Sequence, residues 1–135
     1  MRTRPILETS DIANIIANAK AEALKNAWDV SIAIVNDSGN VIHVEIVGLP
    51  GVPGGEVALA KARAAALTKR PTKELEERLK DRPGFVSYLS PANLLQVQGG
   101  LPIIYENECV GGIGVSGRPS HEDEIVARAG LVAIR

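Results

Sequence analysis

Aromatic side chains are nearly absent from this sequence. Phe, Trp and Tyr together make up 3% of the 135 residues, with one Phe, one Trp and two Tyr. Large rings therefore cannot fill the core, and Ala, Val, Ile and Leu must build it by close packing. We expect small residues to set the distances between helices and strands.

Cysteine, unbalanced charge and long apolar runs are also lacking. The lone Cys109 excludes an internal disulfide, and the start MRTRPILETSD has no apolar run of the kind a secretion signal requires. A formal net charge of -1 gives no general attraction to nucleic acid or anionic lipid. No segment approaches the roughly 18 apolar residues of a membrane span. We expect a cytoplasmic protein without nucleic-acid or membrane partners, with residues 1–135 forming one domain.

Metal-ligating residues are few and scattered. The two histidines, His43 and His121, lie far apart in the sequence, and no H-x-x-x-H or C-x-x-C spacing is present. The sequence therefore predicts no intrinsic metal centre.

Hydrophobic periodicity predicts the elements of the first half. Apolar residues recur with helical spacing over 9–27, and the strands VSIAIV (30–35) and VIHVEIV (41–47) form a hairpin around the turn NDSGN. A helix rich in alanine follows over 56–70. In the hairpin, His43 and Glu45 share one strand face, and we expect them to lie near the small residues of the first strand at positions 31 and 33.

The second half is less regular. A short charged helix is predicted over 72–82, whereas 83–100 has no clear period. A strand pair follows over 101–117, and a closing helix spans 120–134, with Ser120 and Asp123 matching a capping box.

Glycines crowd the last strand pair and contain a formal G-x-G-x-x-G at Gly112, Gly114 and Gly117. A dinucleotide site needs such glycines between a strand and a helix, with a second strand beyond; here only 18 residues remain after Gly117. Close packing is the better interpretation, with the alanine face of the 56–70 helix as the partner. A slot for a flat ligand is an alternative use of the same bare surface.

Four segments in order resemble the GlcG/HbpS family, whose haem-binding or haem-degrading-like domain also forms the C-terminus of PduO-type proteins. They are WDVSIAIVNDSGNVIHVE, EVALAKARAAALTKRPT, VQGGLPIIYENECVGGIGVSG and HEDEIVARAG. The resemblance implies a single α/β (α+β) domain, with about five antiparallel strands flanked by helices in a profilin-like arrangement. It also implies a homo-oligomer, a dimer or larger such as an octamer, and haem as a cofactor of some members. One departure is the stretch 45–48, where family members commonly carry a basic and an acidic residue.

Two hypotheses assign these residues a function. In the first, a homo-oligomer accessory to a catabolic pathway binds haem or a related flat carboxylated molecule, with His43 or His121 as the iron ligand. The remaining ligand-binding residues are then Lys61 and Arg70, on a cationic helix side that otherwise simply faces solvent, and the glycines Gly99, Gly100, Gly112 and Gly114.

The second hypothesis is a cofactor-free isomerase or tautomerase acting on a keto or enol acid. Glu45 or His43 would be the general base, and Arg70 or Lys61 would hold the carboxylate. A passive oligomeric partner of neighbouring enzymes is a third reading. Apolar loop residues favour self-association in each case; they are Leu49, Val52, Phe85, Tyr88 and Leu94.

Overall fold

A single antiparallel sheet with helices on both faces forms the protein. The computed structural model describes residues 1–51, 53–89 and 93–134; Val52 lies outside them. The elements are α1 (Thr9–Lys25), β1 (Val30–Asn36), β2 (Val41–Val47), α2 (Gly54–Thr68), α3 (Thr72–Asp81), α4 (Val86–Leu89), β3 (Gly100–Tyr105), β4 (Glu108–Ser116) and α5 (Ser120–Gly130). Short 3-10 turns occupy Pro83–Phe85 and Leu131–Ala133.

The sheet has the strand order β2-β1-β4-β3, and all neighbours are antiparallel. The described residues thus form four strands, and the expectation of about five is wrong. In the described part of 83–100 no strand precedes Gly100, so β2 and β3 are the two edges of the sheet. Both predicted hairpins are confirmed. The second closes through Glu106 and Asn107, whose φ values of 49° and 65° suit a tight two-residue turn.

One face of the sheet carries the larger apolar core. Helices α1 and α5 cover it, and branched side chains of β1, β3 and β4 interdigitate with alanines of both helices. The buried side chains include Ile15, Ala19, Ile32, Ile34, Ile103, Ile113, Val115 and Val126. No helix within the described residues is both long and apolar enough to cross a membrane.

The other face packs against α2 with almost no side chains between. The position that a Cβ on Gly112 would take is filled by the carbonyl oxygen of Ala62, and that of Gly114 by the carbonyl oxygen of Ala58. The predicted contact between the alanine-rich helix and the glycine-rich strand is confirmed. Because the backbones of helix and strand lie in direct contact, only glycine fits at these two positions.

Candidate functional site

A groove opens beside the C-terminal end of α2, between that helix, α3 and the segment that follows α3. Its volume is about 380 Å³, within the range of small-molecule pockets. Apolar, aromatic and cationic side chains line it together: Leu67, Thr68, Arg70, Leu75, Arg78, Phe85, Tyr88 and Leu94.

The position of α3 shapes this groove. Helix α2 ends at Thr68; the next residue, Lys69, adopts a left-handed φ of 59°, and Pro71 redirects the chain. Thr72 then ties the start of α3 to the sheet, because its Oγ1 accepts a 2.8 Å hydrogen bond from the N–H of Gly100. Leu75 is buried one turn later against Ala64 and forms the floor.

Aromatic rings and guanidinium groups form the rim. The ring centroids of Phe85 and Tyr88 are 5.2 Å apart. The Arg78 and Arg82 guanidinium carbons lie 6.0 Å and 5.2 Å from the Phe85 centroid. Arg70 makes a 3.4 Å ion pair with Glu74 on the surface. Two of the four aromatic residues of the chain therefore meet at one cationic surface.

A second cluster lies on the α1 side of β2. His43 Nε2 is 3.0 Å from Glu45 Oε1, and Lys20 Nζ of α1 is 3.1 Å from Glu45 Oε2. The hydrogen bond from His43, together with that from Lys20, lowers the pKa of the Glu45 carboxyl below its usual range. This geometry holds Glu45 as a carboxylate, but neither His43 nor Glu45 lines the groove.

The predicted neighbours of this pair are wrong. His43 lies opposite Ile34 and Glu45 lies opposite Ile32, whereas Ser31 and Ala33 face α2 on the other side of the sheet. The two residues therefore lie apart from the glycine-rich face that the ligand slot would use.

Lys61 is not on a solvent-facing side of α2 as expected. Its side chain is 4% exposed, and its ammonium donates to the carbonyl of Val115 at 3.0 Å and to Asp123 Oδ2 at 3.1 Å. Burial raises the pKa of the Asp123 carboxyl, while the Lys61 charge and the Arg118 N–H oppose that rise. The Lys61 ammonium and the Asp123 carboxylate form an ion pair inside the protein, away from the groove.

The capping box expected at the start of α5 is also absent. The N-cap is Pro119, and the Asp123 carboxylate accepts from the Arg118 N–H at 3.0 Å instead of from the helix terminus. His121 is exposed on the first turn of this helix. The structure therefore brings neither histidine to the groove.

The glycine positions leave no space for a flat ligand over the middle of the sheet. The backbone of α2 fills the places above Gly100, Gly112 and Gly114, and the Lys61 ammonium lies 2.9 Å from where a Cβ on Gly99 would be. The alternative that Gly100, Gly112 and Gly114 form a slot for a flat ligand is wrong, because the backbone of α2 occupies that space.

Arg70 is thus the one predicted ligand-binding residue that lines the groove. The sequence reasoning missed Arg78, and it treated Phe85, Tyr88 and Leu94 only as apolar loop residues. The signal that could have found them is the scarcity of aromatic residues: in a chain with four of them, RPGFVSY places two within six residues after an arginine.

Another cavity, of about 360 Å³, lies where the two ends of the chain meet. Its charged groups are the acids Glu8 and Asp11, beside Tyr105, and Asp11 already accepts the Glu8 N–H at 2.9 Å. This cavity carries the wrong charge for a carboxylated ligand. Across the described residues, no group of three or more His, Cys, Asp or Glu side chains could hold a metal ion.

The layers define a single-domain α+β protein with a four-stranded antiparallel sheet flanked by helices. A family model described as "Haem degrading protein HbpS-like" matches residues 7–132. The chain belongs to this HbpS-like family, and the resemblance noted in the sequence is confirmed.

Individual relatives agree with this assignment. Protein GlcG of Escherichia coli is 33% identical over 116 residues, which cover 86% of this chain and 85% of that protein. A doubly substituted form of HbpS from Streptomyces reticuli superposes with a TM-score of 0.90 at 29% identity, covering 100% of this chain and 91% of that one. A structure titled as a PduOC–haem complex has a TM-score of 0.89 at 23% identity, covering 97% and 96%; at that identity it shows the fold alone.

Proposed function

We propose that this protein binds haem or a related flat carboxylated molecule in the groove between α2, α3 and the Phe85–Tyr88 segment. The observation that carries the proposal is the combination of an apolar floor, two aromatic rings and two guanidinium groups in one cavity. The description of the family as haem-degrading supports the same class of ligand.

The groove residues fit the periphery of a haem better than its iron. Leu67 and Phe85 offer apolar surface to a ring above the buried Leu75, and Arg70 and Arg78 offer bidentate donors to its propionates. Among the lining residues that the structure describes, Tyr88 alone has a side chain of a type that ligates haem iron, a phenol. A bound haem would supply redox-active iron, and the role of the protein would be to bind and orient it.

His43 and His121 stay candidates for the iron ligand only if haem is bound elsewhere or between copies of the chain. Self-association is part of the proposal and is supported by apolar residues on the edge strand β2. Val44 and Ile46 are 43% and 51% exposed, because α2 lies chiefly over β1 and β4. We further propose a cytoplasmic protein accessory to a catabolic pathway.

A haem titration tests the binding proposal. The protein purified without added ligand is examined by absorbance and mass spectrometry, then titrated with haem while the Soret band is recorded. We expect saturable binding that Arg70→Gln weakens about tenfold, through loss of a charge-assisted hydrogen bond. Arg128→Gln is the matched control, since Arg128 also pairs with a glutamate one helical turn away. Equal affinities in all three proteins would contradict the groove assignment.

A cofactor-free isomerase or tautomerase is the second candidate, and one observation favours it. Glu45 is held as a carboxylate by His43 and Lys20, so that it is ready to accept a proton from a keto or enol acid. The test is turnover of such an acid without haem, comparing the wild type with Glu45→Gln. Loss of turnover with retained folding would support this candidate, whereas an unchanged rate would exclude Glu45 as the base.

A further inference from the structure

The lining of the groove offers little that can hold iron. None of the eight lining side chains that the structure describes is a histidine, cysteine or methionine. The Thr68 hydroxyl donates a 2.6 Å hydrogen bond to the Ala64 carbonyl and is occupied. Tyr88 is 74% exposed, so its phenol lies at the rim, where water competes with it for coordination of iron.

The same lining carries groups that can recognise the ring and the carboxylates of a haem. Arg70 comes from the turn after α2 and Arg78 from the last turns of α3, so their guanidinium groups approach the cavity from different elements. Arg70 is held only by a 3.4 Å pair with Glu74, half exposed on both sides. Such a pair contributes little, and a ligand carboxylate can replace it. The Arg78 contact with the Phe85 ring, at 6.0 Å, leaves its N–H donors available.

A planar ligand also finds a preformed surface. Leu75 is buried beneath the cavity, and the Phe85 and Tyr88 rings stand beside it with 35° between their planes. Apolar contact with the ring and charge-assisted bonds to two carboxylates together account for every side-chain type that the groove presents except Thr68.

We propose that the groove recognises a planar tetrapyrrole dicarboxylate through its ring and carboxylates, and that iron is not required for binding. This inference rests on the proposed function, since it concerns the same groove. Metal-free protoporphyrin is then a ligand in its own right, and the two histidines contribute nothing to its affinity.

The test compares three ligands on the full-length protein by fluorescence and absorbance titration: haem, metal-free protoporphyrin and protoporphyrin dimethyl ester. We expect haem and the metal-free ring to bind with dissociation constants within about threefold of each other. The dimethyl ester, which has lost both negative charges, should bind at least about tenfold more weakly. His43→Ala and His121→Ala should leave the affinity for the metal-free ring unchanged.

Variants of the groove locate the effect. Arg70→Gln and Arg78→Gln should each weaken metal-free protoporphyrin about tenfold and remove most of its preference over the ester. Arg128→Gln, on α5, should change neither quantity. Circular dichroism of each variant checks that the fold is kept, and Arg78→Lys, which retains the charge, should recover part of the affinity.

Two outcomes would overturn the inference. If haem binds but the metal-free ring does not, iron carries the recognition; the inference then fails while the proposed haem binding stands. If the ester binds as tightly as the free acid, the arginines do not bind the carboxylates, and the inference fails. Failure of all three ligands to bind would instead remove the proposed function itself.

Discussion

The Lys61 ammonium lies 3.1 Å from the Asp123 carboxylate, and these two buried groups join helices on opposite faces of the sheet. Lys61 belongs to α2 and Asp123 to α5. The lysine side chain reaches the second face at the end of β4, where it also donates to the Val115 carbonyl. The ion pair therefore links the two helical layers around the end of a strand.

Removing one partner of this pair should be strongly destabilising. Lys61→Met leaves the Asp123 carboxylate buried without its cation, and Asp123→Asn leaves the Lys61 ammonium without its anion. We expect each to lower the free energy of unfolding by about 3–5 kcal/mol. The measurement is urea denaturation near neutral pH.

The double variant Lys61→Met with Asp123→Asn provides the control. Because it buries no net charge at this site, its cost should be clearly less than the sum of the two single costs. Additive costs would mean that the two groups do not depend on each other.

The contact between β4 and α2 predicts a sharp difference between two glycine-to-alanine changes. In Gly114→Ala the new methyl group meets the Ala58 carbonyl, so helix and strand must separate; we expect a loss of at least about 3 kcal/mol, the upper end for overpacking. Gly55→Ala, on the first turn of α2, meets only the end of Ile46 at 4.0 Å and should be neutral or stabilising by up to about 1 kcal/mol. Thermal denaturation of both variants checks this, and equal losses would contradict the packing argument.

Edge strand β2 should be the surface through which the chain self-associates. Two β2 strands paired antiparallel about Val44 would set His43 of one copy opposite Glu45 of the second copy, with apolar residues on the other face. We expect Val44→Lys to shift the protein toward monomer in size-exclusion chromatography with light scattering. Ile104→Lys, at a similarly exposed position on the opposite edge, is the control. The assignment to β2 fails if both variants dissociate equally or if only Ile104→Lys does.

The Glu45 cluster predicts a small, pH-dependent contribution to stability. Since the hydrogen bonds from His43 and Lys20 lower the folded-state pKa of Glu45, their stabilisation is complete above its ordinary value of 4.5 and is lost as pH falls through the lowered value. We expect Glu45→Gln to cost no more than about 1 kcal/mol near neutral pH, because the pair is partly exposed. Urea denaturation across acidic pH should show the difference from wild type shrinking. Glu77→Gln, at an exposed position on α3, is the control for the loss of one carboxylate.

The sequence was informative wherever a local pattern decided the structure. Alternating residues predicted β1 and β2, helical spacing predicted α1 and α2, and the scarcity of aromatic residues led correctly to the contact between α2 and the β4 glycines. A five-stranded sheet was expected from the resemblance, and the described residues have four. The profilin-like arrangement stays a prediction.

The candidate site was harder to predict because it depends on register and on distant contacts. An irregularity in the β1–β2 pairing between Ile34 and Val35 changes which residues lie opposite each other, and a shift of one position reverses the face. Lysine is ordinarily a surface residue, so only the position of α5 reveals why Lys61 is buried. The groove is lined by residues as distant in the sequence as Leu67 and Leu94. Because the segment 83–94 has no periodicity, no local pattern predicted that these residues lie together.

The bare contact between α2 and β4 also has a consequence for motion. With carbonyl groups packed directly on glycines, few intervening side chains can change rotamer to let the helix loosen gradually. The amide hydrogens of α2 and β4 should therefore exchange with deuterium together, at the rate of global unfolding.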